Sequence, residues 1–259
     1  MVRLCNRAHP KIVYVITLFK ILCRNAGPGP HVCRELNLLS IHLRQMSDSK
    51  TYSQQDIVDM DNIQRLNMIN AISGFKSASL IGTVDGSGKE NLAIFNSVIH
   101  IGSNPPLLGL LVRPLTVPRH TYQNIKETGW FTVNHIRKEF YKRAHHTSGK
   151  FREDISEFEA CGFKTDYSKL CRAPYVKESI VRIGLSFEEE TEIKANGTVL
   201  IIGAVRELTV PAESIEEDGF IDLEKAGSLT ISGLDSYHET VRLSREEFVR
   251  LPENLTRNN

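Results

Sequence analysis

Between residues 53 and 72 apolar side chains recur at Ile57, Met60, Ile63, Leu66, Ile69 and Ile72. Three-residue spacing over that length predicts an amphipathic helix, with Ser53 placed to cap it. The period then changes. ASLIGTV (78–84) and NLAIFNSVIHI (91–101) flank Asp85-Gly86-Ser87-Gly88, a pattern that predicts a β-hairpin. After the punctuation of Asn104-Pro105-Pro106, LLGLLV (107–112) is a continuous apolar run of strand length, expected to be buried on both faces. Residues 120–128 predict a short helix, with Thr121 as candidate cap and Gly129 as stop. WFTVNHI (130–136) alternates and is rich in aromatic and β-branched residues, so it predicts a strand. Residues 137–160 are charged and polar and read as helix, with a loop around Thr147-Ser148-Gly149. IVRIGLSFEEETEI (180–193) and TVLIIGAVRELTV (198–210) flank Asn196-Gly197, the strongest short hairpin signal. GFIDL (219–223) precedes a polar tail. Short strands with helices between hairpins predict a mostly β protein, a barrel with helical excursions. The regular strand–helix alternation of a doubly wound sheet is missing.

Composition adds limits. Of 259 residues 41% are hydrophobic and 24% charged, which excludes disordered, collagen-like and coiled-coil classes for the chain as a whole. A net charge of +1 gives no global argument for nucleic acid or an anionic membrane as partner. The charge is unevenly placed. Residues 1–45 hold seven Lys/Arg and one acidic residue, Glu35, leaving 25 basic and 30 acidic residues for 46–259. The apolar stretch IVYVITLFKIL (12–22) is too short to span a bilayer. A basic start with a short apolar stretch fits a signal peptide, and the Arg-rich, acid-poor composition fits organellar targeting. Against both, Gly27-Pro28-Gly29-Pro30 breaks any helix and no A-x-A site follows. Met46 opens MSDSKTYSQQDI, which reads as an ordinary N-terminus. Residues 1–45 are therefore expected to be a basic extension, dispensable or targeting, ahead of a single domain over 46–259.

Chemical motifs are mostly negative. The five cysteines form no C-x-x-C, and only Cys161 and Cys171 lie beyond the tail, so a reducing, cytoplasmic setting is the simplest reading. Gly86-Ser87-Gly88 begins a dinucleotide fingerprint, but Asn91 stands where its third glycine belongs, and the P-loop pattern fails at Thr83 and Glu90. Neither H-E-x-x-H nor G-x-S-x-G occurs. His100, His120, His135, His145 and His146 lack carboxylate or cysteine neighbours at ligand spacing, so no metal site is expected. What stands out is the set of polar groups in apolar surroundings across 91–150. Asn91, Asn96 and Ser97 interrupt an apolar strand, Arg113 ends LLGLLV, and His145 to Lys150 packs donors into six residues. A phosphorylated ligand would use such hydroxyls and cations, and a flat ring the apolar walls. A strand-end salt bridge for Arg113 and a solvated helix end for His145-His146 are the plainer readings.

GFKSASLIGT (74–83), NLAIFNSVIHIGSNPPLLGLLVRP (91–114), HTYQNIKETGWFTVNHI (120–136), AHHTSGKF (144–151) and KANGTVLIIGAV (194–205) together resemble the flavin reductase-like, FMN-binding split-barrel family, its flavoredoxin-like branch in particular. The resemblance covers roughly 60–235. It implies a six-stranded split β-barrel, a homodimer, and FMN held noncovalently near the dimer interface. By position it assigns Asn91, Phe95, Asn96, Ser97 and Val98 to the flavin, Arg113 to a flavin anionic group, Thr147, Ser148 and Lys150 to the phosphate end or a closure over it, and His146 to the cofactor site. Many relatives carry Ser at the position of Asn96. The implied activity is oxidoreduction from NADH or NADPH to bound flavin and on to a small acceptor. The alternative is a non-catalytic FMN-holding electron carrier. No catalytic side chain is assigned, since the cofactor would carry the chemistry.

Overall fold

The computed structural model describes residues 49–152 and 154–250. The basic extension expected over 1–45 lies outside the described residues. The chain divides into two compact units, Met1–Asp59 and Met60–Asn259. The described part of the first holds the short helix α1 (Gln54–Asp59). Ser53 caps it as expected: Asp56 N–H donates to Ser53 Oγ at 3.2 Å, and Ser53 N–H donates to Asp56 Oδ2 at 2.8 Å.

The second unit opens with helix α2 (Asn62–Ala71). The single helix expected over 53–72 is therefore two. Asp61 starts the second one, accepting from Ile63 and Gln64 N–H at 2.9 and 3.3 Å. A short polar side chain that competes for backbone N–H groups favours a cap over a helix interior.

The body is β-structure: β1 (Lys76–Ser77), β2 (Ser79–Val84), β3 (Glu90–Phe95), β4 (Val98–Ser103) and β5 (Pro106–Val112) come first. Helix α3 (His120–Thr128), β6 (Trp130–His135), α4 (Tyr141–His146) and α5 (Glu157–Ala160) follow. Then come β7 (Thr165–Asp166), β8 (Tyr175–Val176), β9 (Arg182–Ile193), β10 (Thr198–Thr209), β11 (Thr230–Ser232) and β12 (Ser236–His238). GFIDL forms no strand and contributes only the bridge of Ile215 to Ile221.

The turns are built from the residues the sequence singles out. Asp85 accepts from Ser87 N–H, Ser87 Oγ and Lys89 N–H at 2.9, 2.7 and 2.9 Å, which ties the β2–β3 turn with its own side chain. The fingerprint-like glycines thus belong to a hairpin. Between β9 and β10, Gly197 takes φ +72°, and Asn196 Oδ1 accepts from Thr198 N–H at 3.1 Å. Gly129 ends α3 at φ +76°, its N–H donating to Ile125 O.

Seven strands form one antiparallel sheet in the order β3-β2-β6-β9-β10-β5-β4. Its two edge strands, β3 and β4, are consecutive in the chain and separated only by Asn96 and Ser97. Two residues cannot cross a flat seven-stranded sheet, with neighbouring strands about 4.8 Å apart, so the sheet must roll until its edges meet. The chain crosses the seam where no ladder does: this is a split barrel. The stretch expected as one strand over 91–101 is one bent strand in two halves, which reconciles the six strands of the implied barrel with the seven of the ladder.

Alternation along β2 sorts the core. Leu80 packs outside the barrel with Leu92, Ile136, Phe140, Phe158 and Ile231, while Ile81 packs inside with Leu110, Phe131, Val133, Leu185 and Ile201. LLGLLV follows the expectation only in part, with Gly109, Leu110 and Val112 buried and Leu107, Leu108 and Leu111 half-buried. The outward face of β6 is polar but satisfied. Asn134 Nδ2 donates to Leu80 O at 3.1 Å, Asn134 Oδ1 accepts from Val176 N–H at 3.0 Å, and Thr132 Oγ1 donates to Pro174 O at 2.6 Å.

Candidate functional site

A cleft of about 280 Å3 opens beside the seam. β3 contributes Asn91, Ala93, Ile94 and Phe95; the crossing contributes Asn96 and Ser97; β5 and the residue after it contribute Leu111, Val112 and Arg113. Pro118 to Thr121 close it from the start of α3, Thr147 to Gly149 from the loop after α4, and Glu157 from α5.

Seven of the ten residues expected at a site meet there: Asn91, Phe95, Asn96, Ser97, Arg113, Thr147 and Ser148. Val98, His146 and Lys150 are not part of the lining. Val98 is packed against the inner core, because the chain has already turned into β4. His146 lies at the exposed end of α4, and Lys150 is exposed beyond the loop.

The polar groups differ in what they have left to offer. Asn91, buried at 8% exposure, donates Nδ2 to Thr83 Oγ1 at 3.2 Å and to Thr121 Oγ1 at 3.1 Å. Asn96 donates Nδ2 to Gly233 O at 2.9 Å, which pins the seam to the segment after β11. Thr147 and Ser148 each donate their single hydroxyl proton to α4, to Ala144 O at 2.8 Å and His145 O at 2.7 Å. The N–H groups of Thr147, Ser148 and Gly149 are also bonded to the last turn of α4. The loop that looked densest in donors therefore has its donors engaged, leaving hydroxyl oxygens as acceptors.

The cationic end is supplied elsewhere. Arg113 is exposed and makes no hydrogen bond or ion pair among the described residues, so the strand-end salt bridge is not what holds it. Arg119 donates Nη2 to Pro114 O at 3.4 Å, and its Nε is buried without a partner. Arg119 is also the N-cap position of α3 and gives no side-chain cap, so the N–H groups of the first turn remain open. Thr121, expected as the cap, instead accepts from Asn91 inside the wall. Glu157 Oε2 accepts from Leu92 N–H at 3.1 Å and so covers an edge amide of β3.

Arg119, His120 and Glu157 were not legible as site residues. The one available signal was the Arg119-His120 pair at the start of the helix at 120–128. Among the described residues no cluster of three or more His, Cys, Asp or Glu could hold a metal. Cys161 and Cys171 are free and buried, and burial pushes both thiols up, away from thiolate.

The cleft combines an apolar wall of Ile94, Phe95, Leu111 and Val112 with an unpaired cationic end. Comparisons with known proteins bear on the fold and the family. Over 78% of this chain and 100% of its own length, a split-barrel protein of Shewanella frigidimarina NCIMB 400 with a provisional flavin reductase description is 41% identical, with a TM-score of 0.75. Flavoredoxin of Desulfovibrio vulgaris (Miyazaki F) shares the fold at a TM-score of 0.60 and 19% identity, over 78% of this chain and 98% of that one. An uncharacterised protein of Aquifex aeolicus (strain VF5) is 29% identical over 39% of this chain, and the match spans 53% of that relative. The profile of the flavin reductase like domain family matches residues 72–224, which hold every element of the cleft. The chain belongs to the flavin reductase-like family of split-barrel, flavin-binding oxidoreductases.

Proposed function

We propose that the cleft holds FMN and that the chain is an FMN-dependent oxidoreductase, drawing electrons from NADH or NADPH and passing them to a small acceptor. One observation carries the reading: the buried Nε of Arg119 has no partner, and Arg119 lines, together with the unpaired Arg113, a cleft with one apolar wall. An orphaned guanidinium N–H is costly unless an acceptor arrives, and a phosphate oxygen is a strong one. The open first turn of α3 adds N–H groups and the positive end of the helix dipole. A single cationic end suits a flavin with one phosphate.

A bound flavin supplies hydride acceptance and electron transfer. The chain's residues do the rest. Arg113 and Arg119 fix the anionic end by charge-assisted bonds. Phe95, Ile94, Leu111 and Val112 keep water from a flat ring. The Asn91–Thr83–Thr121 bonds hold the floor between β2, β3 and α3 rigid. Asn96 and Ser97 keep the seam, and with it the cleft mouth, in one shape.

A homodimer belongs to the same reading. β4 is an edge strand that leaves Ile99 and Ile101 exposed at 47% and 37%. An apolar, unpaired edge is an invitation to association, and a second copy would cover it. The free thiols of Cys161 and Cys171 favour a reducing, cytoplasmic setting. Among the described residues no helix is long and apolar enough to cross a membrane.

Fluorescence titration of the full chain with FMN, FAD and riboflavin tests the reading, together with light scattering on the loaded protein. FMN should bind most tightly, and the loaded mass should be twice that of the chain. A protein that binds no flavin, or prefers riboflavin, contradicts it.

A further inference from the structure

Behind the first cleft lies a second, of about 250 Å3, between the β2–β3 turn, α3 and the start of α5. Asn91, His120 and Glu157 line both, so the two adjoin. Their chemistry differs sharply. The second is walled by four carboxylates, of Asp85, Glu90, Glu127 and Glu157, against the one ammonium of Lys89.

Acidic residues alone would be no more than a solvated surface. Two buried amides make this a built acceptor wall. Asn124, at 7% exposure, donates Nδ2 to Thr83 Oγ1 at 3.2 Å, and its Oδ1 accepts nothing among the described residues. Asn91 likewise commits Nδ2 to Thr83 and Thr121 and leaves Oδ1 unpartnered. Neither oxygen is among the buried unpaired atoms, so each opens onto the space its residue lines. Thr83 Oγ1, taking both Nδ2 groups, fixes both amides with their carbonyls outward. Glu127 makes no hydrogen bond or ion pair among the described residues. Its carboxylate packs on Gly86, in the space a Cβ there would need.

Such a wall asks for hydroxyl donors and repels anions. A ribose cis-diol brings two hydroxyl donors and no charge, and carboxylates are well suited to accept from it. A 2′-phosphate brings about −1.5 to −2 charge to the same place, against carboxylates that cannot pair with it. We propose that the second cleft takes the ribose diol of a nicotinamide dinucleotide and that its carboxylates select the dinucleotide lacking the 2′-phosphate. The proposal rests on the first cleft being the flavin site.

The test uses the full, flavin-loaded chain. Calorimetry measures binding of the non-reducing analogue 1,4,5,6-tetrahydro-NAD and of its 2′-phosphorylated counterpart, and anaerobic mixing measures bleaching of the flavin by NADH and by NADPH. The unphosphorylated analogue should bind about tenfold tighter or better, and NADH should bleach faster at low concentration. Glu127→Lys, a change at an exposed position outside the first cleft, should keep the flavin and bring the two analogues to parity or reverse them. Glu127→Gln should narrow the preference by a smaller factor. Equal affinities, a preference for the phosphorylated analogue, no binding of either, or an unchanged ratio in Glu127→Lys overturns the proposal. Flavin content and bleaching report separately. Analogues that discriminate on a protein that holds no flavin, or whose flavin neither nicotinamide bleaches, overturn the reading of the first cleft instead.

Discussion

Ser97 and Leu111 hold each other twice where the β4–β5 pair reaches the crossing: Leu111 N–H donates to Ser97 O at 3.1 Å, and Ser97 Oγ donates to Leu111 O at 3.0 Å. Ser97 belongs to the two-residue crossing between the edge strands, and Leu111 to β5, next to the edge. The pair carries the β4–β5 register one residue past Val98 and Leu110, with the Ser97 hydroxyl as the second donor, and both residues line the cleft. Anchoring the crossing to β5 and shaping the cleft wall are therefore one task.

Replacing Ser97 by Ala removes the side-chain half of that pair and leaves Leu111 O unanswered in a half-buried place. Stability should fall by about 1 kcal/mol, read as a lower urea midpoint with an unchanged slope. An unchanged midpoint would show that the hydroxyl has no part in anchoring the crossing to β5.

Gly203 faces Phe131 across the barrel interior. A Cβ there would stand 2.6 and 2.7 Å from two ring carbons and 3.2 Å from Leu185 Cβ. Gly203→Ala should destabilise by roughly 1–3 kcal/mol through overpacking. Adding Phe131→Leu should return part of the loss, so that the double variant is less impaired than the sum of the two singles. Additive losses would contradict the contact.

His135 sits where β6 meets the loop at Ser228, with Nδ1 at 3.0 Å from Ser228 Oγ. Burial lowers its pKa to about 4, from an unfolded value near 6.5. Below the unfolded pKa the unfolded chain binds the proton and the folded chain does not, so stability falls as pH drops from about 6.5 and levels off below about 4. The loss over that window should reach about 2–3 kcal/mol. Urea unfolding at pH 7, 5.5 and 4.5 should show it, and His135→Gln should flatten the 7 to 5.5 step. An equal slope in that variant would place the titration elsewhere.

Every residue of the cleft lies at 91 or beyond, and the family profile begins at 72. A chain started at Met46 should therefore fold, bind FMN and dimerise as the full chain does. An insoluble or flavin-free product would make the first 45 residues part of the fold.

Much of the barrel was legible because its turns announce themselves. Asn196-Gly197, the Asp85 turn and Gly129 each need a backbone or side-chain feature that few residues supply, and the strands between them follow from periodicity. The break at Asp61 was hidden because a three-residue apolar spacing runs straight through it, and a cap is invisible to periodicity. β1, β11 and β12 are two or three residues long, too short for a periodic pattern, and β1 pairs with the distant β11. Within the site, the seam residues Asn96 and Ser97 stood out as polar interruptions of an apolar strand. Arg119 did not, because its importance lies in a buried, unpaired Nε that only the packing creates. The loop at 147–149 misled for the converse reason. Its donors are plain in the sequence, but the end of α4 takes them all.

The cationic end separates those two sources of charge. Arg113→Ala and Arg119→Ala should each weaken FMN roughly ten- to a hundred-fold while leaving riboflavin nearly unaffected. Lys150→Ala should change neither. A strong loss in Lys150→Ala with none in the two arginine variants would move the phosphate to the loop after α4.

Anaerobic titration of the flavin-loaded full chain with a nicotinamide dinucleotide tests oxidoreductase function most directly. NADH or NADPH should bleach the visible flavin absorption to completion at about one equivalent per flavin, and an added acceptor should restore it. A flavin that stays coloured under excess of both nicotinamides, yet is reduced and reoxidised by a chemical donor, would make the chain an electron carrier and contradict the enzyme.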